Sequence, residues 1–130
     1  MGAGSQVTFT TDFFKPAPGE DEEISPGRYG KELAQWLAAK LEERGVSVEE
    51  VIPEDFGWVV IVSRKPFMLW LGCGNTDGST VQWTVFPVAE PSLVRRIFRR
   101  ADSAHSVEQL RAKLVELVPL IPRVTNIFWD

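Results

Sequence analysis

Three apolar segments lie close together in the middle of the chain, between Trp58 and Val88. They read WVVIVS, FMLWLGC and TVQWTVF, and they are separated by Arg-Lys-Pro and by the loop Gly-Asn-Thr-Asp-Gly. Short runs rich in β-branched and aromatic residues, divided by turn residues, are typical of consecutive antiparallel strands. This part of the chain therefore predicts a central three-stranded meander that carries much of the hydrophobic core.

Alternation along these strands assigns their side chains to two faces of a sheet. If Arg64 and Lys65 form the tip of the first hairpin, every second residue of each strand points to the same face. The large apolar side chains at these positions then form a core face. The predicted pairs are Trp58–Leu71, Val60–Leu69 and Val62–Phe67, followed by Leu71–Val81, Leu69–Trp83 and Phe67–Val85. The opposite face then mixes apolar and polar residues: Val59, Ile61, Met68, Trp70, Thr80, Gln82, Thr84 and Phe86. Such a face is either covered by another element or offered to a partner.

The flanking sequence predicts further strands and about three helices. Alternation predicts a strand over residues 6–14, while Ser25 and Pro26 open a helix over about residues 27–44. A short strand is expected over residues 46–52. Glu90-Pro91 opens a second helix, the capping box of Ser106 and Gln109 opens a third, and residues 124–130 form a last strand. The fold class is α+β: an antiparallel sheet, with the helices packed mainly on one face, in a single domain over residues 1–130.

Charge and composition exclude several function classes. The chain has 130 residues and a net charge of −4. Residues 1–60 hold 12 acidic and 5 basic side chains, whereas residues 61–130 hold 6 and 9. This distribution argues against a general nucleic-acid binder. Without an apolar run of 18 residues or a secretory signal, the sequence predicts a cytoplasmic protein that does not enter a membrane.

The residues with catalytic or metal-binding chemistry do not form a recognisable set. Cys73 is the obvious candidate nucleophile, but its parity directs the thiol into the core, and the only histidine, His105, is expected in a distant loop. A single cysteine also excludes a disulfide framework or a thiolate-rich zinc site. The acidic run from Glu20 to Glu23 lacks the spacing of a calcium loop, so a solvated loop is expected. We predict no catalytic residue, no metal site and no cofactor.

Charged and aromatic surfaces provide the candidate binding residues. Arg95, Arg96, Arg99 and Arg100 form a basic ridge on the second predicted helix, which either pairs with a partner's anions or faces solvent and the chain's own acids. Trp70 on the mixed face and Trp129 near the C-terminal end are candidate interface anchors, with plain packing as the alternative. The candidate acidic surface comprises Glu20, Asp21, Glu22, Glu23, Glu49, Glu50, Glu54 and Asp55.

One combination of motifs resembles a family of small, uncharacterised bacterial proteins. The motifs are Pro26-Gly27-Arg28-Tyr29-Gly30 before a helix with Trp36-Leu37, then Glu54-Asp55-Phe56-Gly57-Trp58, then Leu71-Gly72-Cys73-Gly74. The resemblance extends from about Phe13 onward. It implies a bacterial, stand-alone domain and brings no activity with it.

Two functional hypotheses follow from these observations. The first is a non-enzymatic protein-binding module that acts through a protein partner or by self-association. In an immunity- or antitoxin-like form, it would present its acidic surface to a basic partner. The alternative is a small enzyme or ligand-binding domain whose site combines Arg28, Tyr29, Glu54, Asp55 and Cys73.

Overall fold

The computed structural model describes residues 5–22, 24–76, 78–90 and 100–130. Its helices and strands are β1 (Val7–Thr10), α1 (Lys31–Glu43), β2 (Glu50–Glu54), β3 (Gly57–Ser63), β4 (Met68–Asn75), β5 (Gln82–Glu90), α2 (Arg100–Leu117) and β6 (Thr125–Trp129). All strands join one antiparallel sheet in the order β2-β3-β4-β5-β1-β6. The sheet is open, so β2 and β6 are its two edges.

The α+β class is confirmed, but the number of elements differs from the prediction. Four consecutive strands, β2 to β5, form the meander instead of three. The described residues contain two α-helices instead of about three. Most of the second predicted helix, which Glu90-Pro91 would open, lies outside the described residues, and α2 runs through His105 and Ser106 without a break. Residues 100–106 hold neither proline nor glycine, so nothing in the backbone ends the helix before the predicted capping box.

The predicted faces of the meander are right, whereas the predicted pairs are wrong. Val60 pairs with Leu71 and Trp58 with Cys73, which is two residues from the expected register. Leu71 pairs with Pro87 instead of Val81, a shift of six. These even-numbered shifts preserve the faces of the side chains involved. A bulge beyond Ile61, after which Ser63 pairs with Leu69, interrupts the regular register at the end of the hairpin. The second shift arises because β4 continues to Asn75 and the following loop extends to Val81, which is 38 % exposed.

Both helices pack on the same face of the sheet and close one hydrophobic core. The sheet contributes Val7, Phe9, Trp58, Val60, Leu71, Cys73, Trp83 and Val85 to this core, and the helices contribute Leu33, Ala34, Leu37, Leu41, Leu110, Leu114 and Leu117. Full burial of one leucine side chain stabilises the fold by about 1.5–3 kcal/mol. The helical stripes and the core face of the strands therefore supply most of the folding free energy.

Three predicted boundaries are displaced. α1 begins at Lys31 instead of residue 27, because Gly27 and Gly30 have φ angles of 77° and 146° that a helix cannot contain. β1 ends at Thr10 instead of residue 14. β2 begins at Glu50 instead of residue 46, although Val46 and Val48 still pack against the core from the preceding loop.

None of the described helices is both long and apolar enough to cross a membrane.

Candidate functional site

Three segments meet at the backbone carbonyl of Cys73, near the end of β4. Gly30, which precedes α1, and Gly57, which opens β3, approach this oxygen closely. A Cβ atom on Gly30 would lie 2.8 Å from the oxygen, and a Cβ atom on Gly57 would overlap it. Both positions also have positive φ angles, 146° and 155°, that favour glycine. We call Gly30, Gly57 and Cys73 the Cys73 junction.

A buried side chain, that of Asn75, holds the neighbouring loops together. Its Oδ1 accepts a hydrogen bond from the backbone N–H of Tyr29 at 2.9 Å. Its Nδ2 donates to the carbonyl oxygens of Gly27 at 2.9 Å and Ser79 at 2.7 Å. The guanidinium of Arg28 donates to the backbone carbonyl of Asn75 at 3.3 Å. Both ends of the buried amide are thus satisfied within the chain, as expected of a structural link.

The thiol of Cys73 points into the core and not toward a site. Cys73 has no exposed surface and pairs across the sheet with Val85. Burial raises the pKa of the thiol, which disfavours the thiolate that a nucleophile requires. Glu54, the last residue of β2, and Asp55, in the turn that follows, are both exposed. The segments that carry Arg28, Tyr29, Asp55 and Cys73 therefore converge through their backbones, while the thiol faces away from solvent.

Glu20 caps α1 from outside the helix, which the sequence analysis did not anticipate. Its side chain is 2 % exposed. One carboxylate oxygen accepts hydrogen bonds from the N–H groups of Gly30 at 2.8 Å and Lys31 at 2.9 Å, and the other accepts from Ala17 at 3.0 Å. A carboxylate at this position satisfies orphan amides and complements the helix dipole. The predicted solvated acidic loop is therefore wrong for Glu20.

The rest of the candidate acidic surface is divided among different environments. Asp21 accepts a hydrogen bond from the N–H of Gly27 at 3.0 Å, and Glu22 is exposed. Glu49 and Glu50 both bind the guanidinium of Arg64, at 2.8 and 2.7 Å. These hydrogen bonds raise the pKa of Arg64. Glu23 lies outside the described residues.

The basic ridge also falls largely outside the described part of the chain. Arg95, Arg96 and Arg99 are not among the described residues, and Arg100 is described only as the first residue of α2.

Trp70 belongs to an aromatic cluster on the face of the sheet opposite the helices. Its ring lies 6.2 Å from that of Phe56 and 6.0 Å from that of Phe86, and these two rings are 5.6 Å apart. Phe86 packs directly over Gly72, where a Cβ atom would overlap its ring. Trp70 is half-buried, and its buried indole N–H has no hydrogen-bond partner among the described residues. This cluster gives the opposite face an apolar centre, as the prediction of a mixed face allows.

Trp129 and Phe128 lie on opposite faces of the edge strand β6. Trp129 pairs with Val7, packs against the core, and lies under the guanidinium of Arg111 at 4.7 Å. Phe128 pairs with Thr8 and is 62 % exposed, and the adjacent Ile127 is 40 % exposed. Trp129 is the anchor predicted from the sequence, whereas the more exposed aromatic side chain on this edge is that of Phe128.

The opposite edge, β2, carries residues that discourage pairing. Asp55 and Phe56 form the turn to β3, so Glu54 and Gly57 make the hydrogen-bonded pair that closes the hairpin. The backbone groups of the next residue, Pro53, consequently point to the free edge, where proline offers no N–H. Glu50 and Glu54 add exposed charge on the same strand.

A shallow groove of about 430 Å³ lies between α2 and the hairpin of β3 and β4. Apolar side chains of Val46, Val62, Leu69 and Leu110 contribute to its lining. Its polar lining includes Glu116, which forms an ion pair of 2.8 Å with Arg44. The volume lies within the range of small-molecule sites.

Within the described ranges, no three His, Cys, Asp or Glu residues are placed to hold one metal ion. Comparisons with protein-family models, with curated proteins and with solved structures found no match.

Proposed function

We propose that this chain is a protein-binding module that pairs with an extended protein strand along the edge strand β6. The observation that carries the proposal is the exposure of Ile127 and Phe128 on an edge strand whose outer side pairs with no other described strand. An edge strand of this kind is a template for strand addition, in which backbone hydrogen bonds give affinity and side chains give specificity.

The residues of β6 favour pairing more than those of most edges. From Thr125 to Trp129 the strand contains no lysine, no proline and no ionisable side chain. Natural sheets usually protect an exposed edge with such residues or with a covering element. The apolar side chains of Ile127 and Phe128 would lose water contact on pairing, which adds a hydrophobic contribution to the hydrogen bonds.

A pull-down with matched variants tests this proposal. The bait is the full chain, as wild type, as Phe128→Lys and as Val115→Lys, incubated in a lysate of the source organism. Val115 is 45 % exposed on α2, so its variant controls for loss of an exposed apolar side chain. We expect a stoichiometric protein that wild type and Val115→Lys retain and Phe128→Lys loses. Retention by all three baits contradicts binding through β6, and so does retention by none when the wild-type protein is also monomeric.

The immunity- or antitoxin-like form is a narrower version of this proposal. Glu54 and Asp55 remain exposed beside each other and would present negative charge to a basic partner. Their replacement by Gln and Asn should then weaken partner binding and flatten its salt dependence. Unchanged affinity at low and high salt would remove this version and leave strand pairing in place.

The groove beside α2 supports ligand binding as a second candidate function. Its apolar lining, which includes Val62, Leu69 and Leu110, suits the apolar part of a small molecule, and polar side chains at its rim would orient it. Thermal-shift screening of wild type against Leu69→Asp tests this candidate. A compound that raises the Tm of wild type alone supports it, whereas equal shifts for both proteins contradict it.

A further inference from the structure

The hydrogen bonds between β1 and β6 determine which backbone groups of β6 are free. Asp130 and Gln6 exchange both backbone hydrogen bonds, at 2.9 and 3.5 Å. In an antiparallel pair, such hydrogen-bonded residues alternate with residues whose groups point the other way. Phe128, two residues earlier, therefore also faces β1, whereas Ile127 and Trp129 direct their N–H and C=O groups to the open edge.

We propose that β6 pairs with β6 of a second copy of this chain, in antiparallel orientation, across a two-fold axis at Phe128. In this register Ile127 of each copy forms a hydrogen-bonded pair with Trp129 of the other. The two Phe128 residues become directly opposed as a non-hydrogen-bonded pair, the arrangement in which cross-strand side chains are closest. This proposal rests on the proposed function, because it names the strand that the β6 edge takes.

The register follows from the positions of the free groups. Moving the axis to Ile127 would place Trp129 opposite Thr125, whose own groups face Thr10 of β1. A single hydrogen-bonded pair would then remain at the axis. The irregularity at Asn126, which has a φ angle of 54°, limits regular pairing to the last residues of the strand. Only the axis at Phe128 uses both outward-facing residues.

A second copy fits this edge because both strands need the same complement. A two-fold contact is self-complementary, so each copy supplies the donors and acceptors that the other lacks. It also leaves no comparable edge for further growth, since Pro53 and the acidic residues of β2 discourage pairing on the other side. The assembly therefore stops at a dimer with a continuous sheet across the axis.

The contact area makes this dimer weak. Phe128 is 62 % exposed and Ile127 is 40 % exposed. The apolar area that two such pairs bury is on the order of 400 Å², against roughly 1,000 Å² for a stable interface. We therefore expect a monomer–dimer equilibrium that responds to protein concentration, with the monomer dominant in dilute solution.

Sedimentation velocity over a concentration series tests the self-association. The wild-type protein should shift from monomer to dimer as concentration rises. Phe128→Lys places like charges directly opposite each other and should raise the dissociation constant about tenfold or more, whereas Val115→Lys should leave it unchanged. A wild-type monomer at every concentration, or an equal shift in both variants, overturns the proposal.

Disulfide cross-linking tests the register. The chain's only cysteine is buried, so an introduced thiol reports on its own position. Phe128→Cys should form a disulfide-linked dimer on mild oxidation, because opposed residues across the axis have Cα atoms about 4.5 Å apart, within disulfide range. Asn126→Cys, which lies opposite Asp130 of the other copy, should not. Equal cross-linking of the two variants overturns the axis at Phe128.

The two proposals fail separately. If wild type stays monomeric but a different protein is still lost with Phe128→Lys in the pull-down, self-pairing is overturned and strand binding by β6 survives. If the protein is monomeric and no bait retains a partner, both proposals fail.

Discussion

The two edges of the sheet are protected to very different degrees. On the β2 side, Pro53 removes a free N–H group, and Glu49 and Glu50 are held by Arg64. On the β6 side, Ile127 and Phe128 expose apolar surface beside unpaired backbone groups. An unprotected edge is a template for pairing with another chain and carries a risk of aggregation. The β2 edge is therefore protected against a further strand, whereas the proposed contact uses the β6 edge.

Gly57, which opens β3 beside the β2 edge, should be the position most sensitive to substitution. In Gly57→Ala, the new Cβ atom would overlap the Cys73 carbonyl at a φ angle of 155°. We expect a loss of about 3 kcal/mol or more in unfolding free energy, measured by urea denaturation. Gly45→Ala is the matched control: φ is 83° but no atom lies within 4 Å, so about 1 kcal/mol should be lost. Equal losses would show that the close contact at the Cys73 junction is unimportant.

The cap formed by Glu20 should have the next largest effect. Glu20→Ala leaves the N–H groups of Ala17, Gly30 and Lys31 without their acceptor, and we expect a loss of about 2–3 kcal/mol in unfolding free energy. Glu22→Ala, at an exposed carboxylate of the same acidic loop, should cost less than about 0.5 kcal/mol. Thermal denaturation of the two variants checks this. Similar Tm values would mean that the acidic loop acts only through its charge.

Replacing the proline of β2 should make the two edges of the sheet more alike in their ability to pair with another strand. Pro53→Thr gives that strand an N–H group that points outward, and it should introduce weak association worth about 1 kcal/mol or less. The change is made in a chain that also carries Phe128→Lys, so that β6 does not contribute. Sedimentation of this double variant against Phe128→Lys alone gives the measurement. If both remain monomeric at every concentration, Pro53 is not what protects this edge.

The ion pair that precedes β6 should have the smallest effect. Arg123 donates a hydrogen bond of 2.6 Å to Asp12, which lowers the pKa of the Asp12 carboxyl from 3.8. Because the folded-state pKa lies below the unfolded value, the pair stabilises the fold above the unfolded pKa, and the stabilisation is lost as pH falls through the folded pKa. Both side chains are largely exposed, so the effect on stability is small. An NMR titration of Asp12 should give a midpoint below 3.8 in wild type and a higher one in Arg123→Ala.

The sequence predicted faces better than contacts. Parity along the central strands correctly separated Val60 and Leu71 from Trp70 and Phe86, because side-chain alternation is a local property of a strand. The exact β4–β5 pairs were wrong, because the length of the loop between these strands depends on Asn75. The amide of Asn75 donates to the carbonyl of Gly27, which is distant in the chain, and to that of Ser79, across the loop. The predicted helix start at Ser106 was wrong, because a capping box is a weak signal where no residue ends the preceding helical turn.

Candidate sites were harder to predict than the fold. Gly30, Gly57 and Gly74 are visible in the sequence. Their close approach around Cys73, however, depends on which strands become neighbours in the sheet. Burial of Glu20 was equally hidden, because its acidic neighbours favour a solvated loop. The sequence did contain a signal that β6 could pair with another strand. Thr125–Trp129 lacks the charged residues that protect an edge strand. This signal is useful only once the strand is known to lie at an edge of the sheet.

Local chemistry in the sequence thus determined the α+β class, the apolar stripe of α1 and the two faces of the meander. Each depends on residues that are near one another along the chain, where periodicity and turn preference act. Tertiary structure alone decided that Glu20 caps α1, that Gly30 and Gly57 meet at the carbonyl of Cys73, and that β6 stands at an open edge of the sheet. Those outcomes depend on the order of strands in space, because burial and unpaired backbone groups are defined only by neighbours that are distant in sequence.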